Sequence, residues 1–374
     1  MQKIELFKVY MSKEAPDVVG DVLRSGWIGQ AHKVEEFEEM LRNWFNVPYC
    51  NTVNAATSGL HLALHYAKDC DKNHRDEVLT TPLTCTATNW PILANGLKIR
   101  WVDIEKDTCN VSMDDLERKL SPKTLAIMVV HWGGMACDLD RLKQIQQKCQ
   151  QVYGHTPMII EDCAHAWGAS YNGLPIGTHG NTCVFSFQAI KHLTTGDGGL
   201  IISPNSVMHA DIKLLRWYGL DRTSSKDFRC EQNVVNWGYK MHMNDIAAAI
   251  GICNIKDSAE IVRKHRENGQ YYDVALQDIP GLTLLKKNPK VDSSYWVYTL
   301  RVERRDAFQK KMADAGIATS LVHKRNDLHT CVRDYRCPLP GLEVVAEDMI
   351  CLPCGWWVTP EMREYIVSTI RLGW

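Results

Sequence analysis

Short, almost wholly apolar runs alternate along the chain with longer stretches in which apolar residues recur every three or four positions. The runs are DEVLTTP (76–82), IRWVDI (99–104), TLAIMVVHW (124–132), MIIEDC (158–163), TCVFSF (182–187) and GLIIS (199–203). A strand covered on both faces shows little polar alternation, so each run predicts a strand of a buried, mostly parallel sheet. The stretches between them read as helices. Residues 53–67 place Leu60, Leu64 and Ala67 on one face. Residues 112–120 and 138–150 open on Ser112 and Asp138, with Asp114, Asp115 and Asp140 in the first turns, where the helix dipole favours negative charge. Near the start, Val34, Phe37, Leu41, Trp44 and Phe45 fall at helical spacing and predict a helix over one sheet edge. Strands alternating with helices in this way define an α/β fold.

After Ser203 the pattern changes. GLDRTSSKDFRCEQN (219–233) has no periodicity and reads as a long loop, a length that usually carries function. Residues 244–279 read as strongly helical, with AAAIG (247–251) as a close-packing patch. Beyond about residue 282 a strand over 295–302 and a helix over 306–315 suggest a smaller α+β lobe. A chain of 374 residues exceeds the usual size of one core. The expected division is a large domain over residues 1–250 and a small C-terminal domain, led by the long helix, over 251–374.

Charge narrows the partners. Lys+Arg 43 against Asp+Glu 44 leave a formal charge of −1, so no basic excess points to nucleic acid. MQKIELFKVYMSKEAP lacks the apolar core of a secretion signal, and the longest apolar runs fall far short of the ~20 residues of a membrane span. A cytoplasmic location, with neither nucleic acid nor membrane as partner, is therefore expected. The fourteen cysteines are scattered and read as reduced thiols. CLPC (351–354) has no second pair at zinc spacing, so it reads as packing, and no metal is expected.

In an open α/β sheet, ligands bind beyond the carboxyl ends of the strands. Three features stand there. Asp162 closes the run MIIED, with His165 just beyond. Lys191 follows TCVFSF, among Phe185, Phe187 and Ile190, with the glycine-rich TTGDGG directly after. NAATSG (54–59) leads into a helix, where free N–H groups, the dipole and the hydroxyls of Thr57 and Ser58 make an anion site. A lysine in apolar surroundings loses its charge readily, an acid keeps a ring nitrogen protonated, and a helix N-terminus holds a phosphate. Together these are the needs of pyridoxal phosphate.

The same stretches resemble the DegT/DnrJ-type sugar aminotransferases, pyridoxal-phosphate enzymes of fold type I, nearly from end to end. SGWIGQAHKVEEFE (25–38) resembles the family's N-terminal signature, VNAATSGLHLAL (53–64) its phosphate-binding turn and TTPLTCTATN (80–89) the loop beside the ring. EDCAHAWGA (161–169) is similar to the acid-bearing strand and FSFQAIKHLTTGDGG (185–199) to the lysine loop. The resemblance implies a large pyridoxal-phosphate-binding domain of the aspartate aminotransferase type and a smaller C-terminal α+β domain. It makes Lys191 the lysine bonded to the cofactor, Asp162 the pyridinium partner and His165 the partner of the ring hydroxyl, with Thr57, Ser58 and Ser186 on the phosphate. It further implies a ping-pong transfer from an amino acid, glutamate, to a keto sugar, a nucleotide-linked 4-keto-6-deoxy hexose, in a homodimer with shared sites.

Two positions depart from the family pattern. Cys85 stands where relatives often stack an aromatic on the cofactor ring, with Trp90 about a helical turn further on. Lys240 and His242 stand where many relatives have Asn and Arg, and the resemblance sends Lys240 to the phosphate of the neighbouring subunit's cofactor.

Other residues are candidates for a site or for plain structure. VHKRNDLH (322–329) gathers His323, Lys324, Arg325 and His329, either as a clamp on an anionic substrate or as a solvated loop. Trp27 suits stacking on a sugar or a place in the core. His131 and Trp132 end a strand on the ligand side, His192 is expected to line the pocket, and Asp197 reads as a turn former. Two other functions stay open. One is a dehydratase of the same family, which carries histidine in place of the lysine. The other is a non-catalytic sensor that keeps the cofactor, favoured by Cys85 alone.

Overall fold

The computed structural model describes residues 3–223 and 231–374. Among the described residues the largest sheet is formed by β1 (Cys50–Val53), β2 (Glu77–Thr80), β3 (Lys98–Trp101), β4 (Thr124–Val130), β5 (Met158–Asp162), β8 (Thr182–Ser186) and β9 (Gly199–Ile202). Its order is β1-β9-β8-β5-β4-β2-β3. Only β9 runs against the other strands; β2, β3, β4, β5 and β8 pair in parallel. Each of the six apolar runs forms one of these strands. Every residue of β4 is buried, as a run without polar alternation requires.

The remaining strands are short. β6 (Ser170–Tyr171), β7 (Leu174–Pro175) and β11 (Val291–Asp292) form a small sheet in the order β11-β6-β7. β10 (Leu282–Leu284), β12 (Tyr298–Val302) and β13 (Met349–Leu352) form the sheet of the C-terminal part, all antiparallel.

β1 was not visible in the hydrophobic pattern, and the helix expected from residue 53 begins at Ala56. Two of the strand's four residues are polar, yet Asn51 and Thr52 are fully buried. They are matched by buried partners: the Asn51 amide meets His209, and Thr52 donates to Glu38, which in turn pairs with Arg216. The helices Ala15–Ser25 and Thr86–Ala94 were also unforeseen, the second interrupted by Pro91. The long helical stretch divides into Asp245–Ile255 and Ser258–Ala275. In the first of these Gly251 lies under Phe37, where a Cβ would come within 2.5 Å of the ring, so the small-residue patch is indeed a close contact.

The proposed boundary at 250/251 falls inside helix Asp245–Ile255. Ile4 packs with Tyr272, Leu300 and Ile317, so the N-terminal segment shares the C-terminal core. Cys351 and Cys354 are buried, and Cys354 donates to the Tyr295 carbonyl at 3.1 Å, which supports packing as their role. No described helix is long and apolar enough to cross a membrane. Of the loop expected over 219–233, residues 224–230 lie outside the described residues.

Candidate active site

A cavity of about 380 Å³ opens beyond the carboxyl ends of the parallel strands, where Asp162 closes β5 and Ser186 closes β8. Lys191 enters it from the loop after β8, whose turn is closed by the Lys191 N–H on the Gln188 carbonyl. The loop folds back tightly at Gly199. A Cβ there would lie 2.7 Å from the Ala56 nitrogen and 2.9 Å from the Phe185 carbonyl, so only glycine lets the lysine loop rest against the turn before helix Ala56–Cys70.

Burial lowers the Lys191 amine to about 7, against the opposing pull of Asp162 and Cys85. Its nitrogen lies 3.7 Å from the centre of the Trp296 ring. Asp162 accepts from the Thr88 hydroxyl at 2.7 Å and from the Ala164 N–H at 3.0 Å. Burial raises its carboxyl above the ordinary value, while Thr88, Ala164 and Lys191 work against the rise. A buried carboxylate held by only two neutral donors is suited to a cation such as a protonated ring nitrogen.

Two further features fit pyridoxal phosphate. Ala55 sits at the N-cap of helix Ala56–Cys70 and offers no side-chain acceptor, so an uncapped helix N-terminus faces the cavity, with Ala55, Ala56 and Thr57 in its wall. Ser58, one residue on, is half-buried and outside that wall. The second feature is the Nδ1 atom of His165, which is buried without a hydrogen-bond partner. Burial, and then Lys191, hold this imidazole well below its usual pKa, so it is neutral and free to take a ring hydroxyl as partner.

Cys85 lines the cavity, at the N-cap of helix Thr86–Ala94. Trp90 does not stack there; it packs edge-on to His329, 5.6 Å between ring centres. The aromatic in the cavity is Trp296, just ahead of β12, which lies parallel to His165 at 3.7 Å. The sequence hid it inside an apolar run that read as a strand from residue 295. His323 also reaches the cavity. Val322 before it adopts φ 63°, an unusual conformation for a β-branched residue, and burial brings the His323 imidazole down to about 4.

Several of the other candidates are not brought to the cavity, while Asp197 keeps its expected place in a turn. Arg325 is not brought to the cavity; it is paired with Asp327 two residues on, at 2.6 and 2.8 Å. His329 is packed on Trp90 and Lys324 is exposed. Trp27 is 69% exposed, so it is neither in this cavity nor in the core. His131 faces away: it pairs with Glu161 at 2.8 Å and accepts the Cys137 N–H, while Asn181 holds the other carboxylate oxygen. Burial pulls the His131 imidazole down, and the Cys137 and Glu161 side chains pull it up, in a buried pair behind the site. His192 is packed against His265 and donates to the Ser294 carbonyl, outside the cavity wall. Asp197 is exposed at the cavity edge, its carbonyl closing a turn with Thr195. Lys240 is exposed and not part of its own chain's cavity wall. It is far from the phosphate turn in sequence but near it in space, since the next residue, Met241, accepts the Asn54 N–H at 2.8 Å.

A lysine of lowered pKa and a buried acid, at neighbouring strand ends of a mostly parallel sheet, are the arrangement of fold type I pyridoxal-phosphate enzymes. Residues 9–371 match the DegT/DnrJ/EryC1/StrS aminotransferase family, and the chain belongs to that family of pyridoxal-phosphate-dependent enzymes. Its structural neighbours are sugar aminotransferases. It is similar to AtS13 from Actinomadura melliaura, with 50% identity and a TM-score of 0.97 over the whole of both chains. It is similar to the sugar aminotransferase CalS13 from Micromonospora echinospora, with 44% identity and a TM-score of 0.96 over 99% of this chain and 100% of that one. The putative sugar aminotransferase Spr1654 from Streptococcus pneumoniae, known in PLP and PMP forms, is 28% identical, with a TM-score of 0.89 for the PLP form over 99% and 98% of the two chains.

Proposed function

We propose that this aminotransferase moves the amino group of L-glutamate to a nucleotide-linked 4-keto-6-deoxy hexose, by a ping-pong reaction in a homodimer with shared sites. Transfer to a sugar is supported by the neighbours that carry that activity in their names. The donor, the nucleotide and the position of the ketone rest on the family resemblance. The observation that carries the chemistry is Lys191, whose amine is brought to about 7 inside the cavity.

Pyridoxal phosphate, when bound, supplies the carbonyl that accepts nitrogen and a ring that withdraws electrons from the reacting carbon. Lys191 moves the proton between the substrate carbon and C4′ of the cofactor, for which an amine titrating near neutrality is well matched. Asp162 holds the proton on the ring nitrogen. The uncapped turn with Thr57, together with Ser186, would hold the phosphate, with Ser58 at its margin, and neutral His165 would meet the ring hydroxyl. Cys85 and Ala164 are small neighbours that leave room for the ring. Trp296 and Ile190 keep water from the lysine, and in this reading His323, which reaches the cavity from the C-terminal part, touches the substrate.

Sharing of sites is supported by Lys240, exposed and outside its own chain's cavity wall, which in this reading serves the partner's phosphate. Trp27, Val235 and Trp237 are 69%, 84% and 64% exposed, and a second copy would cover such apolar surface. A cytoplasmic location remains part of this proposal, supported by thirteen free cysteines among the described residues.

The test is a panel of keto sugars, free and nucleotide-linked, incubated with enzyme and glutamate, with products read by mass and NMR. An amino sugar formed from a nucleotide-linked 4-keto-6-deoxy hexose supports the proposal. Loss of a hydroxyl without gain of nitrogen would point to the dehydratase reading, and no product from any sugar to a sensor.

A further inference from the structure

Trp296 belongs to the segment that leads into β12, far along the chain from the lysine loop, yet it is fixed among the residues of the site. Its backbone N–H donates to the Gly133 carbonyl at 2.9 Å, and its indole N–H donates to the Ile190 carbonyl at 3.0 Å. His165 lies parallel to the indole at 3.7 Å, and Phe7 stacks at 5.0 Å. Only 1% of the residue is exposed, so the ring is held whatever the lysine does. The Lys191 nitrogen lies 3.7 Å from its centre, well inside the ~6 Å reach of a cation–π contact.

We propose that Trp296 is a positioning residue for Lys191: its indole face is the seat of the lysine amine whenever that amine is not bonded to the cofactor. The inference rests on the role proposed above for Lys191. During aminotransfer the lysine must be released, held within reach of the reacting carbon, and kept able both to take and to give a proton. A wholly apolar wall would strip its charge, whereas a carboxylate in contact would fix the charge in place. An aromatic face gives a weaker attraction that favours the ammonium without neutralising it. The bond from the indole N–H to the Ile190 carbonyl ties this seat to the residue next to the lysine. The other titratable groups about the amine are Asp162 from β5, Cys85 from helix Thr86–Ala94, His165 and His192 from the neighbouring loops and His323 from the C-terminal part. Of these, Asp162 and Cys85 raise the lysine's pKa against burial.

The test uses the full chain with 13Cε-labelled lysine in its pyridoxamine-phosphate form, where the amine is free. The Lys191 signal is assigned by its absence from Lys191→Met, and its midpoint is followed by NMR. Incorporating tryptophan with increasing numbers of ring fluorines weakens the negative face while nearly preserving shape. The Lys191 midpoint should fall stepwise with fluorination, by about one pH unit across the series. Trp296→Leu should shift it in the same direction and Trp296→Phe by less. A midpoint that ignores fluorination overturns the proposal, and so does a fluorine dependence that persists in Trp296→Leu. Failure of the Lys191 assignment itself would be seen separately, as borohydride fixing the cofactor to another lysine.

Discussion

The hydroxyl of Thr88 donates to the carboxylate of Asp162 at 2.7 Å, joining residues 74 positions apart at the mouth of the sheet. Thr88 in turn meets Thr84 at 2.7 Å, so the acid is aimed by a chain of two hydroxyls rather than by a charge. Without a cation against it, burial raises the Asp162 pKa. Stability from such a group is fully present below the unfolded carboxyl's pKa and is lost as pH rises through the higher folded value. Cofactor-free Asp162→Asn should therefore melt above cofactor-free wild type at pH 8, with the gap closing in acid. With cofactor bound, the same variant should turn over more slowly, because the ring nitrogen is no longer held protonated. Thermal scans at several pH values check the first part and steady-state rates the second; unchanged turnover would leave Asp162 a structural role only.

Gly199 offers a purely steric test. Gly199→Ala places a methyl 2.7 Å from the Ala56 nitrogen, at the turn assigned to the phosphate. Overpacking of this kind costs about 1–3 kcal/mol. We expect lower stability and weaker pyridoxal-phosphate binding together, measured by denaturant unfolding and by cofactor titration. Unaltered cofactor affinity would place the phosphate elsewhere.

Much of this site could be read from short stretches, because its determinants are local. Asp162 and Lys191 each lie just beyond an apolar run, and the small residues of NAATSG stand next to the helix they open. Thr88 and Trp296 were not legible in the same way. Each acts on a residue brought near by the sheet, and within its own segment each looks like ordinary packing. Strand β1 escaped because its buried Asn51 and Thr52 are matched by Glu38, Arg216 and His209, partners contributed by other segments. Arg325 is a different case. Asp327 stands two residues away in the sequence, and its ion pair takes the arginine out of the anion clamp.

Lys240 tests the shared site. Losing one charged hydrogen bond to the phosphate should weaken cofactor binding by about 1.5–3 kcal/mol, roughly ten- to a hundredfold. A mixed dimer of one Lys191→Ala chain and one Lys240→Ala chain, at limiting cofactor, contains one site with both lysines if the contact crosses the interface. Activity should then return towards half. Persistently low activity would show that Lys240 serves its own chain, and a fully active monomer would end the shared-site reading.

The pH dependence of the amino-group transfer step follows from Lys191. As a base it must be neutral, so the rate of proton removal from glutamate should rise as pH passes upward through about 7. Single-turnover rates between pH 5.5 and 9, at saturating glutamate, provide the check. A flat profile across that range would separate the rate from this amine.

The central claim is that Lys191 bonds to the cofactor and moves the proton. Purified enzyme with pyridoxal phosphate is reduced with borohydride, digested and mapped by mass spectrometry, in wild type and in Lys191→Ala. The account expects one modified peptide in wild type, spanning FSFQAIKHLTTGDGG, and in the variant a folded protein with no such adduct and no aminotransfer. A cofactor fixed to any other lysine, or full activity in Lys191→Ala, would contradict it.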